Sequence, residues 1–80
     1  MRAYVLVHAT TERRFAVRHL MEGVEGVTVA QDVVGAYDVI ASVVAATMEQ
    51  LEREILPRIR AIDGVLRALI CLAAGSPEAG

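Results

Sequence analysis

The chain has 80 residues, 55% of them apolar and 22% charged, with a formal net charge of −2. A chain of this length holds one domain and one core. It buries only roughly 60% of the surface that its unfolded form exposes, so association would ease the shortage. All eight basic residues are arginine, at 2, 13, 14, 18, 53, 58, 60 and 67, and they form no dense block that would give an electrostatic footprint for nucleic acid. No apolar run approaches the ~20 residues of a membrane-spanning helix, so the apolar excess is expected to be buried in protein. The single cysteine, Cys71, excludes an intrachain disulfide and a cysteine-based metal cluster, which makes a reducing location the default. The start of the chain shows no basic n-region followed by a long apolar stretch, and a cytoplasmic protein without cofactor or metal is expected.

Residues 2–9 are rich in β-formers and predict a first strand, after which Thr10 or Thr11 offers a helix N-cap and Glu12 favours the first turn. Phe15, Val17, Leu20, Met21 and Val24 recur at helical spacing through residues 12–22, with Arg13, Arg14, Arg18 and Glu22 on the other face. Residues 27–34 alternate with the period of a strand, and Gly35, Ala36 and Tyr37 then make a short connection to a β-branched run over 38–45. So short a link implies an antiparallel hairpin, because parallel neighbours need a crossover of a dozen or more residues. Thr47 and Gln50 have the spacing of a capping box, and Met48, Leu51, Ile55, Ile59 and Ile62 mark a second helix. Pro57 lies inside that helix, removes a backbone hydrogen bond and crowds the carbonyl of Arg53, so a kink or irregular turn is expected near residues 53–57. Residues 65–72 read as the last strand. A domain over 1–73 followed by a flexible tail over 74–80, rich in small residues, is expected.

One internal echo organises these elements. Val24-Glu25-Gly26-Val27 and Ile62-Asp63-Gly64-Val65 share an aliphatic-acid-Gly-Val pattern, each leading from a helix into a strand. Two βαβ halves with right-handed crossovers give an α+β, ferredoxin-like βαββαβ fold: a four-stranded antiparallel sheet with two helices on one face. The uncovered face of such a sheet should be polar. Here alternation sets Val65, Leu69 and Cys71 on one side of the last strand and Leu66, Ala68, Ile70 and Leu72 on the other, and Tyr4, Leu6, Ile40 and Val44 extend the two-sided pattern. A second copy is expected to cover that face, giving an obligate two-fold homodimer.

Few residues point to chemistry. His8 and His19 lack a second ligand at metal-site spacing and read as ordinary structural or surface histidines. Cys71 reads as a small buried hydrophobe. The alternating charges Glu49, Glu52, Arg53, Glu54, Arg58 and Arg60 read as a solvated helix face. The connection from Val34 to Asp38 is the most informative segment. Turn chemistry alone would explain it. Alternatively it binds a zwitterion, with the backbone N–H groups of Gly35 and Ala36 holding a carboxylate, Asp38 an ammonium and Tyr37 covering the side chain.

The order of elements, the hairpin Val-Val-Gly-Ala-Tyr-Asp-Val-Ile (33–40) and the two acid-Gly-Val lead-ins resemble the Lrp/AsnC effector-binding domain, or RAM (regulation of amino acid metabolism) module, over residues 2–73. Family members usually carry a preceding helix-turn-helix domain, which this sequence lacks, so it resembles the stand-alone form. The resemblance implies dimers packed sheet to sheet, assembly of dimers into rings, and amino-acid effectors bound between dimers near the hairpin. Carried over residue by residue, Gly35, Tyr37 and Asp38 match the family's hairpin pattern, with Ala36 at its variable place. The implied function is an amino-acid-binding regulatory module of transcription, acting through its own assembly or with a full-length Lrp/AsnC regulator, without direct nucleic-acid or membrane binding. The competing readings are a ligand-free interaction module, an ACT-like amino-acid-binding domain, and a small dimeric α+β barrel enzyme using His8 or Tyr4.

Overall fold

Alternation along the first strand, β1 (Arg2–Ala9), decides which way the sheet faces: Ala3, Val5, Val7 and Ala9 are buried, while Arg2, Tyr4 and His8 are exposed and Leu6 is half-buried. In the computed structural model, which describes residues 1–72, a 3₁₀ turn (Thr11–Arg13) follows β1 and leads into α1 (Arg14–Glu22). Then come β2 (Val27–Asp32) and β3 (Val39–Val44), a second helix, α2, and β4 (Val65–Cys71). The sheet order is β2-β3-β1-β4 with every neighbouring pair antiparallel, which is the ferredoxin-like arrangement. The expected tail over 74–80 lies outside the described residues.

α2 is one helix in three consecutive pieces: Met48–Gln50 is α-helical, Leu51–Ile55 π-helical and Leu56–Arg60 α-helical again. Its start is the expected capping box with one variation. Thr47 Oγ1 accepts from the N–H of Gln50 at 3.0 Å, and Gln50 Oε1 reaches back to the N–H of Ala46 at 2.6 Å, one residue beyond the usual partner. The irregularity expected from Pro57 takes the form of the π turn. The N–H of Leu56 bonds to the carbonyl of Leu51, five residues back, and the widened ring absorbs the missing proline donor without breaking the helix.

Both helices lie on the face marked by Val5 and Val7. Val17 and Met21 of α1, and Leu51, Ile55, Leu56 and Ile59 of α2, join Val39, Ala41, Val43 and Ala68 in one core. No aromatic side chain belongs to it. Phe15, expected on the inner stripe of α1, is 63% exposed, because it stands two residues before Val17 in the same helix, about 200° round from the inward pair Val17 and Met21. A core of aliphatic side chains only is thin for a free-standing domain.

The internal echo becomes a structural repeat. The N–H of Val27 bonds to the carbonyl of Val24 at 3.0 Å, and that of Val65 to Ile62 at 3.1 Å. Each bond closes a four-residue turn whose third residue is a glycine, Gly26 at φ +101° or Gly64 at φ +103°, the left-handed position of a type II turn. Each glycine carbonyl then receives a strand end of the other half: Val44 N–H to Gly26 at 2.8 Å and Thr10 N–H to Gly64 at 2.9 Å.

Register shifts accompany both turns and correct the strand faces expected from alternation. The irregularity between Val27 and Val29 sets Val27 opposite buried Val43, and the one between His8 and Ala9 sets Val65 opposite buried Ala9. Both valines therefore pack against the core, where alternation placed them with the outward residues. Strand β2 ends at Asp32 rather than Val34, whose side chain is fully exposed.

The open face keeps its apolar centre. Leu6 stands between Ile40 and Leu69 in the cross-strand register, and the next row is Ser42, Tyr4, Cys71. Cys71, expected to be buried, is exposed because it lies in this row rather than under the helices. At one edge of the sheet, the Arg60 guanidinium donates to the carbonyl of Ala68 on β4 at 3.1 Å.

Candidate functional site

The β2–β3 connection lies at the end of the open face where β1 finishes and β4 begins. It is closed by the N–H of Val33 donating to the carbonyl of Asp38 at 2.9 Å, and tied to β1 by the N–H of Asp38 donating to Val7 at 2.9 Å. Gly35 has φ +145°, a conformation L side chains rarely adopt, and a side chain there would meet no atom within 4 Å. Gly35 and Ala36 are exposed and Tyr37 is half-buried, so the tip presents backbone to its surroundings beside one aromatic ring.

Asp38 has a structural task. Its Oδ2 accepts the N–H of Ala9 at 2.8 Å, at the register shift where β1 leaves its pairing with β4. His8 Nε2 lies 3.7 Å from the same oxygen, with His8 about half exposed and Asp38 mostly covered. A carboxylate accepts about four hydrogen bonds, so the second oxygen keeps capacity for an ammonium. The structure thus brings Asp38 to His8 and the end of β1, a pairing that sequence spacing did not signal. Only the antiparallel register, with Val7 opposite Val39, could have revealed it.

His8 and Tyr4, the residues an enzyme would have used, lie on the open face and not between helices and sheet. No buried polar or charged residue interrupts the core among the described residues. Among them, too, no group of three or more His, Cys, Asp or Glu is placed to hold a metal, and no helix is long and apolar enough to cross a membrane.

A concavity of about 450 Å³ lies at the opposite end of β2 and β3 from the hairpin. It is lined among others by Glu25, Gly26, Ala46, Gln50, Glu54 and Arg58. Sequence reading assigned Glu54 and Arg58 to a solvated helix face and gave Glu25 no role. The signal that could have found them is the acid-Gly turn read together with the helix that faces it.

The family model for the Lrp/AsnC ligand binding domain matches residues 2–75. The chain belongs to the Lrp/AsnC ligand-binding domain family. Among solved structures similar to this RAM domain, TTHA0845 from Thermus thermophilus is 28% identical with a TM-score of 0.83, over 90% of each chain. FFRP-DM1 is 24% identical with a TM-score of 0.81, over 90% of this chain and 96% of that one. E. coli AsnC is 16% identical with a TM-score of 0.84, and the match takes 95% of this chain but 52% of AsnC, about half its length. No curated protein sequence matches the chain. The two neighbours below 25% identity speak for the fold alone. Membership of the family rests on the match over 2–75, which contains the whole hairpin from Val33 to Asp38.

Proposed function

We propose that this RAM domain, over residues 1–73, binds an amino acid at the β2–β3 connection and carries the signal through its assembly, as a homodimer closed by the open sheet faces and joined into a larger oligomer such as a ring of dimers. The observation that carries this reading is the position of the hairpin. Its free backbone tip and the remaining oxygen of Asp38 stand at the end of an apolar face that a single chain leaves uncovered. A zwitterion fits this chemistry: its carboxylate takes the N–H groups at Gly35 and Ala36, its ammonium takes Asp38, and Tyr37 lies over the side chain. Effector binding that favours one assembly over another is sufficient for regulation, either of this chain alone or in mixed oligomers with a full-length Lrp/AsnC regulator. In this reading the protein is a cytoplasmic regulator of amino acid metabolism, not an enzyme.

A thermal-shift screen against the twenty amino acids, with light scattering on each hit, tests it. A ligand that binds only the folded state raises Tm by mass action, about 2.7 kcal/mol of stabilisation at a hundredfold excess over Kd. A hit with a change in mass supports the effector reading, and no shift at millimolar ligand removes it.

The bond from Ala9 to Asp38 favours a second reading, in which the hairpin is a structural corner and the domain a ligand-free interaction module. Asp38→Asn separates the two. The amide oxygen still accepts from Ala9, so stability should fall by only about 1 kcal/mol, while the loss of charge should remove the ammonium partner and with it the amino-acid shift. An Asp38→Asn protein that still responds to the same amino acid would assign the hairpin to structure alone.

A further inference from the structure

The repeat within the chain supplies a template for the 450 Å³ cleft. In one half, the turn Ile62-Asp63-Gly64-Val65 holds a guanidinium: Arg13 Nε donates to the carbonyl of Asp63 at 3.1 Å and lies 3.6 Å from its carboxylate. The Arg13 stem packs so tightly on the turn that a Cβ on Gly64 would fall 2.5 Å from Arg13 Cβ and 3.2 Å from Val17. In the other half, the turn Val24-Glu25-Gly26-Val27 faces α2 in the same way. Ile55 takes the place of Val17, 2.8 Å from where a Cβ on Gly26 would be. One helical turn before Val17 comes Arg13. One turn before Ile55, lengthened by the π-helical residue, comes Gln50. Gln50 is shorter than arginine, and its side chain turns back to the N–H of Ala46, so the cleft beside Glu25 is not filled from within.

The walls of this cleft differ from its filled counterpart in charge as well as in space. Glu25 stands where the other turn has Asp63, α2 adds Glu54, and Arg58 lines the same cleft. Two carboxylates and a turn carbonyl suit a guanidinium, as the Arg13–Asp63 contact illustrates, and Arg58 suits a carboxylate at the other end of the same molecule. The volume lies within the roughly 300–1,000 Å³ of small-ligand pockets.

We propose that the cleft between the Glu25-Gly26 turn and α2 is a second ligand site, distinct from the hairpin, that binds a guanidino acid: the guanidinium on Glu25 and Glu54, the carboxylate on Arg58. The ligand replaces, between molecules, the contact that Arg13 makes within the chain.

The test is titration calorimetry of the full chain with 4-guanidinobutyrate, which lacks the α-ammonium that the hairpin reading assigns to Asp38. One ligand per protomer is expected, with no heat from 4-ureidobutyrate, whose isosteric ureido group carries no positive charge. Glu25→Gln and Glu54→Gln should each weaken binding by roughly tenfold or more, the scale of one charge-assisted hydrogen bond. Gln50→Arg, which gives this half its own internal guanidinium, should abolish it. Asp38→Asn should leave the affinity within about twofold of wild type. The site is overturned if no binding is seen at tens of millimolar, if the ureido compound binds equally, or if the carboxylate variants bind as wild type. Loss of binding in Asp38→Asn would place the ligand at the hairpin and overturn it too. None of these failures counts against the amino-acid reading of the hairpin.

Discussion

Leu6→Arg is expected to convert the protein to a monomer while leaving its secondary structure in place. Leu6 is the centre of the open face, flanked by Ile40 on β3 and Leu69 on β4, and it is only half-buried in the single chain, so the substitution forces nothing into the core. In a two-fold assembly closed by this face the change enters twice, once from each copy, near the axis. Like charges set against each other and stripped of water cost several kcal/mol, about a hundredfold or more in dimer affinity. Light scattering reads the mass and circular dichroism reads the fold. Wild-type mass in Leu6→Arg would show that the open sheet face closes no dimer and would remove the sheet-to-sheet assembly of the proposed function.

Gly64→Ala is expected to cost more stability than Gly23→Ala, Gly26→Ala or Gly35→Ala. Two costs combine there. The backbone at φ +103° is one that a residue with a Cβ occupies at a cost of about 1–3 kcal/mol, and the new methyl would meet Arg13 Cβ at 2.5 Å, next to the helix backbone where a side-chain rotation gives no relief. At about 4–8 °C per kcal/mol for a domain of this size, Tm should fall by roughly 10 °C or more at fixed protein concentration. Gly26→Ala meets its closest neighbour at the far end of the Ile55 side chain, which can turn away, so it should cost less. Equal losses at both positions would show that backbone strain, and not the arginine contact, sets the cost.

Much of this was legible in the residues. Alternation in 2–9 and the short connection at Gly35–Tyr37 led to the hairpin and the antiparallel sheet, and the repeated acid-Gly-Val pattern led to the two halves. What alternation missed has a common physical cause. Val27 and Val65 each follow a glycine turn with a register shift, and one extra residue there inverts the face of everything before it, which no count by twos detects. Phe15 falls two residues from Val17, a spacing that turns an α-helical side chain to the opposite face, and the fate of Cys71 followed from which face its strand turned outward.

At the candidate site, the residue types at 35–38 could be singled out in advance, but not the bond from Ala9 that gives Asp38 a second employment. That contact joins residues 29 positions apart and exists only once β3 lies beside β1. The cleft at Glu25 was hidden for the opposite reason. Its acids look like ordinary solvated charges until the filled half of the molecule shows what such a turn can hold.

The bond from Arg60 to Ala68 bears on how far association can run. Residues of β4 that point their peptide groups away from β1 offer an open template, and an exposed template beside apolar Leu66 invites open-ended polymerisation. A guanidinium seated on the central carbonyl of that row occupies an acceptor that an incoming strand would need, and brings positive charge to the border. Growth by adding strands is thereby disfavoured, while the face on which the proposed pairing rests is left free, so association through the face need not seed fibrils.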